Sequence, residues 1–112
     1  SAAFNLCINN FVSASYIQNQ IDIENLDAMG FELLAILKSK KQNYINMSAI
    51  MLDAKTHWLK IKNKINDENS IDAFNLLLEG LDLSIKNKDN KMIEILASMD
   101  LALVDIIEKY FQ

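Results

Sequence analysis

A chain of 112 residues with no proline and only two glycines, Gly30 and Gly80, has almost no means of turning sharply. Proline presets the first corner of most tight turns and glycine supplies the left-handed backbone that closes many of them. A fold made of many short strands needs both, again and again. Leu, Ile, Lys and Ala are among its commonest residues, and Leu, Lys and Ala lose little in a helix. The expected fold is therefore all-α: a single-domain antiparallel bundle of about five helices spanning residues 1–112. Helices are expected over 3–19, 22–41, 44–66, 69–87 and 90–111. The links between them are the polar runs "NQID", "KQN", "NDENS" and "NKDN", short enough to make consecutive helices antiparallel neighbours.

Apolar periodicity supports this division. Ile23, Leu26, Met29, Leu33, Ile36 and Leu37 form one stripe. Phe74, Leu77, Leu78, Leu81 and Ile85 form another, and Met92, Leu96, Met99, Leu103, Ile106, Ile107 and Tyr110 a third. No internal repeat is evident, which argues against a solenoid. Hydrophobic residues make up 51% and charged residues 23%, so the chain has enough apolar surface to fold on its own.

Net charge is −4, and every basic residue is a lysine. Nucleic acid and anionic membrane both call for a positive field, and arginine is the side chain best shaped to clamp phosphate. Neither is expected as a main partner; a basic protein is. The charges run in blocks. Asp22, Glu24, Asp27 and Glu32 precede Lys38, Lys40 and Lys41, and Asp67, Glu68 and Asp72 precede Lys86 and Lys88. Acid first and base last is the order the helix dipole favours, so the blocks read as helix punctuation.

The stretch "HWLKIKNK" holds the only histidine and the only tryptophan. At 100° per residue, Lys60 and Lys64 project with Asp53 and His57, whereas Lys62 points to another side. The lysines do not form a row, and His57 is expected to be solvated beside Asp53. No second histidine, reactive thiol, nucleophile elbow or glycine-rich loop accompanies it, so neither an enzyme nor a bound cofactor or metal is expected. The lone Cys7, between Phe4 and Phe11, is expected to be a buried thiol. With no disulfide to form, a reducing cytoplasm is the default location. Residues 1–21 carry too many Asn and Gln to span a bilayer and lack the basic start of a signal peptide. The wealth of Ile, Asn and Lys is what an AT-rich genome encodes, which points towards a bacterium.

Two features break the pattern. Asp100 lies within an apolar stripe, flanked by Leu96, Leu103, Val104 and Ile107, and a carboxylate there must be neutral, paired or at an interface. Lys55 and Lys62 project beside Trp58, so a buried polar cluster of Lys55, Trp58, Lys62 and Asp100 is expected, with Asp100 paired to one of the lysines. The second feature is a spare apolar stripe, Ala73, Leu76, Gly80 and Leu83, lying off the core face of the fourth expected helix. It packs within the bundle, or it forms an open surface rimmed by Asp72, Glu79 and Asp82.

Small, helical, acidic and without a catalytic constellation, the chain resembles in size and charge the dedicated bacterial inhibitors, immunity proteins and antitoxins, that mask a basic toxin or enzyme by direct binding. That resemblance rests on no specific motif. It implies contacts through Asp67, Glu68, Asp72, Leu76, Glu79, Asp82 and Leu83. The alternative is a non-catalytic adaptor or oligomerisation module of a larger assembly. A third reading is a ligand sensor or enzyme built on the cluster around Trp58.

Overall fold

The computed structural model describes the backbone of residues 2–112 and the side chains of residues 14–112. The expected environment of Cys7 lies outside the described side chains. Four helices make up the fold: α1 (Ala2–Lys38), α2 (Tyr44–Ile61), α3 (Glu68–Lys86) and α4 (Asn90–Glu108). Single 3-10 turns follow α2 (Lys62–Lys64) and α4 (Lys109–Phe111), and the described residues include no strand. The all-α antiparallel bundle is as expected, but it has four helices rather than five.

The missing break is the link expected at "NQID". With no proline or glycine there, the backbone loses little by staying helical, and the polar side chains bond elsewhere instead of bending the chain. Asn19 accepts from the Lys64 ammonium at 2.7 Å, Gln18 donates to Asp22 at 3.2 Å, and Asp22 meets His57 of α2 at 2.7 Å. The acidic block from Asp22 to Glu32 thus lies inside α1 and does not mark a helix start. The other three links are real, and each ends in an N-cap. Asn43, Asp67 and Asp89 accept from the backbone N–H of Asn46, Asn69 and Met92, a contribution of about 1 kcal/mol each.

Around the bundle, α1 packs on α2 and α4, and α3 packs on α4 and, more thinly, on α2. The core between them is continuous, from Leu26, Met29 and Leu33 through Met51 and Trp58 to Phe74, Leu81, Ile93 and Val104. Trp58 and Phe74 touch with ring centroids 4.5 Å apart. The tightest approach is between α1 and α4 at Gly30, where a β-carbon would stand 2.9 Å from the Ala97 carbonyl oxygen and 2.7 Å from the Asp100 carboxylate. Glycine is required there by space, not by backbone angle.

At the end of α3 the chain reverses through a Schellman closure: Asp89 N–H bonds the Ser84 carbonyl and Lys88 N–H that of Ile85. The left-handed residue is Lys88, at φ 55°. Glycine is favoured at such a position, and a lysine costs about 1–2 kcal/mol. At about 55 Å, α1 is nearly twice the length of the others, and the molecule measures 59 × 29 × 18 Å. No helix is long and apolar enough, among the described residues, to cross a membrane.

Candidate protein-binding face on α3

Helix α3 turns Phe74, Leu77, Leu78, Leu81 and Ile85 into the core, and its other residues fall to two sides. On the α4 side, Gly80 lets the helices close, with Leu96 of α4 3.0 Å from where a β-carbon would stand. Ala73 is half-buried beside it. Leu76 and Leu83, about two turns apart on the outer edge, are 66% and 53% exposed. The spare stripe therefore divides: its small residues pack within the bundle and its two leucines stay open.

Between Leu76 and α4 lies a groove of about 320 Å³ lined by Ala73, Leu76, Leu77, Leu96, Met99 and Leu103. Met92, Ile95, Met99 and Ile106 of α4 are also exposed. Scattered single apolar side chains need no explanation, but a patch spread over two adjacent helices does. Beside the open leucines on α3 stand Glu68, Asp72 and Glu79, all exposed and none of them paired among the described residues. An apolar centre with an unneutralised acidic border is the result.

Two acids expected on this border are engaged elsewhere. Asp67 caps α3 and also accepts from Ser70 at 2.8 Å and from the Tyr110 hydroxyl at 2.7 Å. The Tyr110 bond, then that of Ser70, holds its carboxyl below the usual range, and the Tyr110 bond ties the last 3-10 turn to the start of α3. Asp82 faces α2, where it forms an ion pair with Lys55.

On that second side of α3, Lys55, Trp58 and Lys62 do come together, with Asn75, Glu79 and Asp82, around a shallow groove of about 310 Å³. Trp58 itself is a core residue, 2% exposed, whose indole N–H donates to Asn75 at 2.7 Å. Asp100 is not part of the cluster. Its expected pairing with Lys55 or Lys62 is wrong, because α2 does not pack against the face of α4 that carries it. Gly30 of α1 does.

Asp100 is fully buried, and neither of its oxygens has a hydrogen-bond partner among the described residues. Burial, reinforced by the charge of Asp27, raises its pKa to about 8. Asp27 is itself pushed upward, first by burial and then by Asp105. Asp100 is thus a neutral acid at pH 7. His57 also departs from expectation. Its ring is mostly buried and spans Asp22 at 2.7 Å and Asp53 at 3.7 Å. Asp22, fully buried, was hidden from sequence reasoning by its place in a presumed link. Among the described residues no group of acids, His and Cys is arranged to hold a metal.

No protein-family model matches the chain, and no curated protein or solved structure matches it either. What the molecule can do must be argued from its own surface.

Proposed function

We propose that this chain is a small, non-catalytic protein-binding bundle whose partner is a basic protein, in the manner of a bacterial inhibitor that neutralises a toxin or enzyme by direct contact. One observation carries the reading. Leu76 of α3 and Met99 of α4 line one apolar groove, Leu83, Met92, Ile95 and Ile106 are exposed on the same two helices, and the carboxylates of Glu68, Asp72 and Glu79 are in no ion pair among the described residues. Apolar centres hold a partner once water is excluded, and a border of one sign steers the opposite charge towards it. The contact residues are Leu76 and Leu83 with Glu68, Asp72 and Glu79. Asp67 and Asp82, committed to intramolecular bonds, contribute through the field alone.

The test is capture on the immobilised protein at low salt and at about 0.5 M salt, where the Debye length falls to a few ångströms. A Leu76→Asp/Leu83→Asp variant serves as control. Retention of one basic protein, weakened by salt and lost in a folded variant, supports the reading; equal retention by the variant, or none by either, overturns it.

One observation favours the alternative of an adaptor or oligomerisation module. Tyr16, Ile17 and Ile21 are exposed on the part of α1 that precedes its buried core residues. Under that reading the molecular mass rises with concentration and falls back when Tyr16 and Ile17 are made polar.

A further inference from the structure

The sequence spreads its lysines along the chain, but the fold gathers six of the eleven at one end. Lys38, Lys40 and Lys41 close α1, Lys86 and Lys88 close α3, and Lys91 opens α4. These three segments meet because the loops before α2 and α4 are tied together: Tyr44 donates to Asn90 at 2.6 Å, and Asn90 donates to Gln42 at 2.7 Å. Helix dipoles account for Lys38 and Lys86, each in a last turn. They do not account for Lys40, Lys41 and Lys88, which lie beyond the helix ends, and they oppose Lys91 in the first turn of α4. The only acids on these segments are Asp89, spent on capping α4, and Glu94, beside Lys91 at 3.8 Å.

At this end lies a shallow depression of about 490 Å³, lined by Lys41, Gln42, Asn43, Tyr44, Ile45 and Lys88. Lys88 is the one non-glycine residue with positive φ among the described residues, and its ammonium is set 5.6 Å from the Tyr44 ring centroid. That left-handed backbone belongs to the closure at the end of α3 and places the Lys88 side chain at the edge of the depression. The floor is the start of α2, where the first intrahelical bond runs from Met47 N–H to Asn43 and the side chain of Asn43 takes the N–H of Asn46. The N–H groups of Tyr44 and Ile45 precede both and have no intrahelical acceptor.

We infer that this end of the bundle is a binding site for a small anion with clustered phosphate charge, held between Lys41 and Lys88 over the first turn of α2. Lysines act as point charges that suit a compact multiply charged oxyanion, and free N–H groups at a helix start suit phosphate oxygens. A long nucleic acid is disfavoured because the rest of the surface is acidic and would repel it. The site is concave and on the opposite end from Asp67, so it does not depend on the α3 face.

The experiment is a titration of the intact chain with tripolyphosphate, followed by calorimetry and by backbone amide shifts. Saturable one-to-one binding is expected, with shifts confined to residues 41–45 and 86–91. Lys41→Gln should weaken it roughly fivefold, the worth of one partly exposed charge, whereas Lys60→Gln at the far end should not. Lys88→Gly relieves the backbone strain while removing the charge, so it should raise the unfolding temperature and weaken binding together. Absence of saturation, equal weakening by Lys60→Gln, or unchanged affinity in Lys88→Gly would overturn the assignment. So would tighter binding to phosphatidylglycerol vesicles than to tripolyphosphate, which would give this end to a membrane surface.

Discussion

Asp100 has water on no side and no partner at either oxygen, and it sits where a β-carbon on Gly30 would collide with it. Such a group keeps its proton. The unfolded carboxyl titrates near 3.8 and the folded one near 8, so between these values the folded state holds a proton that the unfolded state releases. Stability must then fall as pH rises from about 4 to about 8 and level off above. The total is at most about 6 kcal/mol by linkage. Asp100→Asn, which cannot ionise, should flatten this fall, and denaturant midpoints from pH 4 to 9 would show it. An unchanged pH profile would mean that the carboxyl finds a partner in solution. His57 makes the opposite case. It is the main partner of the fully buried Asp22, so His57→Leu should destabilise the fold by about 3 kcal/mol, leaving a buried acid nearly bare. The helical wheel was enough to mark Asp100 as out of place. Its surroundings were not legible, because periodicity says which face a residue is on and not which helix that face will meet. For the same reason the buried Asp22–His57 pair, 35 positions apart, left no local signal.

Helices α2, α3 and α4 were legible in their links, since Asn43, Asp67 and Asp89 are side chains that cap. The run from Asn19 to Asp22 has the same composition and no break. Asn and Asp signal a helix start only when the chain leaves the helix before them, and distant partners on α2 and the turn after it gave these side chains a different use. The glycines separate in a similar way. At Gly80 a methyl group meets only the mobile end of Leu96, so Gly80→Ala should stabilise α3 by up to about 1 kcal/mol through helix propensity. At Gly30 it meets the Ala97 carbonyl and the Asp100 carboxyl at under 3 Å, so Gly30→Ala should cost about 1–3 kcal/mol as α1 and α4 are forced apart. Thermal unfolding of the two variants checks both signs, and a stabilised Gly30→Ala would show that the seam is looser than the structure has it.

At the scale of the molecule, charge and apolar surface are sorted by geometry that no single helix displays. Lys38 and Lys86 read correctly as helix ends, but that six lysines from the segments around α1, α3 and α4 share one end of the bundle follows only from the way the helices pack. The stripe on α3 was legible as surplus apolar surface. How it divides was not, because α4 covers Ala73 and Gly80 and stops short of Leu76 and Leu83. On this division rests the claim that the α3–α4 face is a surface kept open for a partner. The most direct measurement is the thermal unfolding of Leu76→Asp/Leu83→Asp. An open face predicts a cooperative transition within about 1 kcal/mol of the parent, as for surface substitutions elsewhere. Loss of the transition, or destabilisation of the several kcal/mol expected for charges forced into a core, would contradict it and return both leucines to the interior.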